Sequence, residues 1–216
     1  MSECTVQIKN LHHKYNKLIF KQLNVNFESN KHIGLRGGSG EGKSSLFNLI
    51  LGIESIQSGQ IMVFGQELNS NNIVNIRSRI AWLPQNISDI GCGTVFETLI
   101  KPFSFEVNKS ISPNIIKIKN LFDKLSLNYE LLESNFNDLS VGEKQRIGLI
   151  IAILLERELI LLDEPSSAMD VVSTNKALLT LAELKNTTII SLSHNDTWLN
   201  ACDYIFELQV NNLEKK

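Results

Sequence analysis

The stretch HIGLRGGSGEGKSSLFNLILGI, His32 to Ile53, sets a short apolar run against a glycine-rich loop and then a helical pattern. Within it, GGSGEGKS from Gly37 to Ser44 fits the form GxxxxGK[ST], directly after an expected strand and directly before an expected helix, the context that form requires. Glycines let successive backbone N–H groups curl around phosphate oxygens, and the start of the following helix adds its partial positive charge. In such a cradle Lys43 reaches the β and γ phosphates and the Ser44 hydroxyl can ligate Mg²⁺. A glycine-rich turn with no ligand would explain Gly37, Gly38, Gly40 and Gly42, but not a lysine and a serine at fixed offsets after them.

Upstream of the loop the chain reads as strand: TVQIKNL, QLNVNFE and HIGLRG carry alternating or short apolar patterns separated by Asn, Lys and Ser turns. Downstream, KSSLFNLILGI has helical spacing and stops at Gly52, and QIMVFG and RIAWLPQ read as further strands. From about Gly93 to Leu132 the pattern turns helical, in TVFETLI and SPNIIKIKNLFDKLSL, with Pro102 and Pro113 as boundaries; this predicts a small helical subdomain. An apolar helix starting near Leu139, the buried strand LILLDEP, a helix around Thr174 to Leu184, the strand TTIISLSH and a last strand YIFELQV follow. Strand and helix alternating in this way predict an α/β fold with a parallel sheet.

A chain of 216 residues, 43% hydrophobic and 20% charged, can bury one full core, so a single compact unit is expected. The formal net charge of -2 supplies no global basic footprint, and nucleic acid is not an expected partner. Cys4, Cys92 and Cys202 are scattered and lack CxxC spacing, which predicts neither a zinc site nor a disulfide framework and fits a reduced cytosolic setting. The start MSECTVQIKN lacks the basic and apolar pattern of a signal peptide. The longest apolar run, Ile147 to Leu155, falls far short of the roughly 20 residues a spanning helix needs. Any role at a membrane is therefore expected to depend on docking to a protein already in it.

A phosphate cradle needs a carboxylate to hold the metal. In LILLDE, four apolar residues ending at Asp163 describe a buried strand whose tip delivers that carboxylate, and Glu164 beside it has the position of a general base for an attacking water. Two acids ending a strand in solvent would be the alternative. The segment LSVGEKQ from Leu139 poses a different question. Ser140 and Glu143 form the spacing of a capping box, which accounts for both without any ligand. It does not account for Gly142, because a glycine in a first helical turn costs up to about 1 kcal/mol against alanine while baring backbone N–H groups to an anion. The segment therefore reads as a second phosphate site.

Gly37 to Ser44, Gln85, LSVGEKQ, LILLDEPSSAMD and His194, in this order and at these spacings, resemble the nucleotide-binding subunit of ATP-binding cassette (ABC) transporters along essentially the whole chain. The resemblance implies a P-loop NTPase cassette over residues 1–216, mainly a parallel sheet flanked by helices, with an N-terminal antiparallel β subdomain and a helical subdomain at about 86–158. It implies ATP and Mg²⁺ as ligands, and ATP hydrolysis as the activity. Leu139 to Glu143 would be the family signature, placing Ser140 and Gly142 against the γ-phosphate of ATP held by a second copy in a head-to-tail dimer. The nucleotide would be held by Gly37, Gly38, Ser39, Gly40, Glu41, Gly42, Lys43, Ser44 and Ser45, with Mg²⁺ on Ser44, Gln85 and Asp163. Catalysis would fall to Glu164, His194, Lys43 and Gln85: Gln85 senses the γ-phosphate, and His194 contacts it as the switch histidine. Asp170 would touch the opposite subunit or cap the helix after it, and Tyr15 stands where an adenine-stacking aromatic is usual, although it could equally be packing or surface.

The signature departs from the common LSGGQ at Val141 and Glu143, yet Ser140 and Gly142 survive, and a capping box would turn Glu143 back to its own helix. A separate multi-spanning permease is the implied partner, which would hold the subunit on the inner face of the cell membrane. Ile87, Ile90, Phe96, Phe103 and Phe105 offer a docking groove for it, or else pack internally. SVGEKQR and KPFSF are similar to small bacterial exporter-type subunits, among them a type linked to metal or iron export. A non-transport ABC ATPase acting in translation or DNA repair, and a regulatory module that binds nucleotide without hydrolysis, are the alternatives.

Overall fold

Two 12-residue strands, β1 (Cys4–Tyr15) and β2 (Lys17–Glu28), open the chain as an antiparallel pair reaching Tyr15 opposite Lys17. Val6, Ile8 and Leu11 of β1 and Leu23, Val25 and Phe27 of β2 are buried, the outcome of near-alternating patterns that give one face of the pair to the core. β4 (Ser58–Val63) and the short β5 (Gln66–Glu67) complete an antiparallel sheet in the order β2-β1-β4-β5. The computed structural model describes residues 3–15, 17–37, 43–87, 90–91, 93–111, 114–209 and 212–215, with the backbone alone at Tyr15, 17–19, Lys43, Gln209 and 212–215.

β3 (His32–Gly37) leads from the first sheet into a second, whose order is β10-β9-β3-β8-β7-β6. Its members are β6 (Ile80–Leu83), β7 (Leu159–Asp163), β8 (Thr188–Leu192), β9 (Tyr204–Gln209) and β10 (Asn212–Lys215). β3, β6, β7, β8 and β9 pair in parallel, and β10 returns antiparallel to β9. β9 is thus not the last strand: β10 follows it, too short and too polar to carry a strand pattern of its own.

β7 and β8 are buried at every position, as expected of inner parallel strands covered on both faces. The pleat divides them. Leu159 and Leu161 join the core that packs β1, β2 and β4 against β3 and helix α1 (Lys43–Ile50), with Phe20, Phe27, Leu46 and Phe47. Ile160 and Leu162 face the other way, into a core with Val95, Phe122, Phe136, Ile147 and Ile150. At roughly 1.5–3 kcal/mol for each fully buried large apolar side chain, these two layers dominate the stability of the fold.

Between β6 and β7 the described residues form helices and 3-10 turns: α3 (Val95–Ile100), α4 (Ile115–Lys124) and the 14-residue α5 (Val141–Leu154). α3 begins at a capping box of Thr94 and Glu97, and α4 at Asn114, whose side chain accepts from Ile116 N and Lys117 N. From Ile147 to Leu154, α5 is buried on all sides. A Cβ at Gly148 would lie 2.3 Å from Ile87 Cδ1 and 2.4 Å from Leu83 Cδ1, so the glycine lets α5 press onto the end of β6. α6 (Val171–Ala182) lies slightly before the expected Thr174 to Leu184, because Asp170 caps it by accepting from Ser173 N at 2.7 Å. Two five-residue helices, α2 (Ile73–Arg77) and α7 (Asp196–Asn200), are too short to show helical periodicity in the sequence. Among the described residues no helix is long and apolar enough to cross a membrane.

Candidate functional site at the strand tips

Parallel strands end together, and here the ends of β3, β7 and β8 bring distant stretches of sequence to one edge, the usual ligand-binding edge of such sheets. β3 stops at Gly37 and α1 starts at Lys43. Gly38, Ser39, Gly40, Glu41 and Gly42 lie outside the described residues, as do the side chains of Lys43 and Tyr15. Ser44, in the first turn of α1, donates from Oγ to Asp163 Oδ2 at 3.2 Å across 119 positions of sequence. Asp163 is only 7% exposed at the tip of β7. A hydroxyl and a carboxylate converging in this way are hard oxygen ligands of the kind Mg²⁺ takes, so the residues fit that ion.

Glu164 leaves β7 with φ of +50°, the left-handed region that non-glycine residues rarely occupy and that costs of order 1–3 kcal/mol. Several bonds hold it there. Glu164 N donates to Leu192 O at the end of β8 (2.9 Å), and Ser167 N donates to Glu164 O (3.2 Å). The carboxylate is bracketed by one residue: His194 N donates to Oε2 at 3.3 Å, and His194 Nε2 lies 3.3 Å from Oε1. His194 itself is exposed, just beyond Ser193, whose N donates to Leu35 O of β3 at 3.2 Å. Asn195 then caps α7 by accepting from Trp198 N, which fixes the backbone that presents His194. Gln85 is exposed two residues beyond β6, whose Leu83 pairs with Leu162 of β7, and so stands at the same sheet edge. Ser45 follows Ser44 in α1, and Tyr15 ends β1 in the other sheet.

The start of α5 forms a separate feature. Ser140 Oγ and Ser140 N donate to Glu143 Oε2 at 2.6 and 2.9 Å, and Glu143 N donates to Ser140 Oγ at 3.3 Å, a complete capping box. The bond from the Ser140 hydroxyl, followed by that from its backbone, holds the Glu143 carboxyl below its ordinary value. Gly142 has a neighbour that sequence did not foretell: a Cβ there would stand 2.5 Å from the carbonyl oxygen of Ala168. The space Gly142 leaves open is filled from within the chain, by the loop that follows Glu164.

Gln145 also escaped the sequence reading. It is 3% exposed, and its side chain donates to Ser167 Oγ (2.6 Å) and Glu164 O (3.3 Å) while accepting from Ala168 N (3.0 Å). The available signal was a lone amide just ahead of the apolar run Ile147 to Leu154. Of the expected groove residues, Ile87 and Phe103 are buried, Ile90 packs against the core, and Phe96 and Phe105 are 39% and 56% exposed.

Comparison with known proteins bears on the family and the fold. The family model described as ABC transporter matches residues 20–167. The glutathione/L-cysteine transport system ATP-binding/permease protein CydD of Haemophilus influenzae is 34% identical over 194 residues, 88% of this chain and 32% of that protein. The ergothioneine transport ATP-binding protein EgtV of Helicobacter pylori is 33% identical over 167 residues, 76% of each chain. The chain thus spans about a third of the length of the ATP-binding/permease relatives it matches. Its fold superimposes with a TM-score of 0.85, at 20% identity, on a dimeric ATP-binding cassette in a post-hydrolysis state bound to ADP and Pi, covering 98% of this chain and 97% of the other.

Proposed function

Because the chain belongs to the ABC transporter ATP-binding family, we propose that it binds and hydrolyses ATP as the nucleotide-binding subunit of a transporter, pairing with a second copy around two MgATP to drive a separate membrane permease. The observation that carries this reading is the meeting of Ser44, Asp163, Glu164 and His194 at one sheet edge. Ser44 and Asp163, together with Gln85 from the end of β6, would hold Mg²⁺, which would supply charge neutralisation on the β and γ phosphates. Lys43 and the Gly37 to Ser45 loop bind the phosphates, and Tyr15 stacks on the adenine. Glu164 accepts a proton from the attacking water. His194, which already brackets that carboxylate, orients it and contacts the γ-phosphate. Ser140 and Gly142 of a second copy close the site head-to-tail.

In the same reading residues 86–158 act as a helical subdomain inserted in the P-loop core, and the exposed Phe96 and Phe105 face the permease on the inner side of the cell membrane. Export of metal or iron belongs to this reading as well, although the two relatives above are named for glutathione/L-cysteine and ergothioneine transport. The test is isolation of the chain from native membranes with ATP turnover measured on the isolate. A multi-spanning protein recovered in stoichiometric amount supports a transporter; recovery only with ribosomes or DNA replaces it with a non-transport ATPase, and binding without turnover replaces it with a regulatory module.

A further inference from the structure

We propose that Gln145 is a positioning residue for hydrolysis, a clamp reaching from α5 to the loop Glu164–Ala168 that holds the Glu164 carboxylate where a water can be polarised. The inference rests on the reading of Glu164 given above and adds a residue to it. Three observations converge. Gln145 uses its whole amide on this one loop, donating to Glu164 O and Ser167 Oγ and accepting from Ala168 N. It is buried, so its bonds are shielded from exchange with water, and breaking them would leave polar groups without partners. The loop starts at a residue held in the left-handed region, a conformation that persists only where its surroundings enforce it. Gly142 strengthens the same junction, because the absent Cβ admits the Ala168 carbonyl one helical turn before the clamp. The start of α5 and the candidate base are therefore one mechanical unit within a single chain: a displacement of the Ser140 end reaches Glu164 through a buried amide.

Gln145→Leu removes the amide at similar volume. ATP turnover of the chain should fall about 10- to 100-fold in kcat, the scale of a small misplacement of a reacting group. KM for ATP, and the affinity for a non-hydrolysable ATP analogue, should stay within about twofold, since no phosphate ligand is touched. In a Glu164→Gln background the same substitution should lower the residual turnover less than about twofold, because the group it positions has already been replaced. A full loss in that background, or a rise in KM with kcat unchanged, would overturn the clamp. Gln145→Glu keeps the acceptor for Ala168 N but loses both donors, and is expected to show a smaller loss in kcat with the same unchanged KM; it carries the test should the leucine variant fail to fold. If Glu164→Gln alone leaves turnover intact, the reading of Glu164 and this inference fall together. If it cuts turnover while both Gln145 variants match the parent, only the clamp falls.

Discussion

At the tips of β3, β7 and β8, side chains from three stretches of sequence meet in two bonded pairs, Ser44 with Asp163 and Glu164 with His194, and each pair depends on the parallel sheet for its place. At the start of α5 the reverse holds: Ser140 and Glu143 bond each other across three positions, and any helix starting there would reproduce the arrangement. The first region is a product of topology, the second of local capping. Their difference teaches how a two-part site can be made in one chain. Gly142 and Gln145 tie the locally built part to the loop behind Glu164.

Four substitutions sharpen the comparison. Glu164→Gln strikes the topological region and should cut ATP turnover by roughly 10² to 10⁴ with nucleotide affinity intact, trapping an ATP-bound dimer visible by size-exclusion chromatography. Turnover within a factor of two of the parent would remove Glu164 from its role. Ser140→Arg strikes the local region, whose proposed target is the nucleotide of a second copy; on that proposal turnover should drop by about 10² or more while ATP binding to the monomer, measured by titration calorimetry, stays unchanged. A weakened monomer would instead place Ser140 against its own nucleotide.

Gly142→Ala strikes the tie. Its Cβ would meet the Ala168 carbonyl at 2.5 Å, and the loop must shift to admit it. An approximately tenfold loss of kcat is expected, along with altered amide exchange at 164–168 in the isolated monomer; exchange identical to the parent would show that the loop absorbs the methyl without moving. Glu143→Gln is the mildest. The native Glu143 carboxyl titrates below its ordinary 4.5, so its share of stability is complete above that value and is lost as pH falls through the lowered native one. Solvent exposure keeps that share to about 0.5 kcal/mol. Thermal melts of parent and variant should differ at pH 7 and converge toward pH 3, and a gap that persists in acid would assign the cap to the hydroxyl alone.

The motif-bearing parts were legible because their chemistry forces residue types at fixed spacing: Ser44 against Asp163 needs a hydroxyl and a carboxylate, and an all-apolar run such as LILL has no stable home except an inner strand. The capping box at Ser140 was legible because it is decided within one turn of helix. Less was legible where the cause lies across the fold. Nothing around Gly142 names Ala168, and nothing around Gln145 names Ser167, since these pairs lie 22 to 26 positions apart and are brought together by tertiary packing. Helices α2 and α7 escaped for a different reason, being shorter than two turns. Phe96 and Phe105 could not be told from Ile87 and Phe103 by spacing, because outward and inward faces are distinguished only once the segments after β6 have packed.

The alternation along β7, with Leu159 and Leu161 on one side and Ile160 and Leu162 on the other, makes that strand a ruler as well as a wall. Deleting a single residue before Asp163 would not merely shorten the ruler: it would turn the strand over, exchange the two layers it serves, and swing the acidic tip to the wrong side of the sheet. The placement of one carboxylate is thereby guarded by every leucine and isoleucine that precedes it.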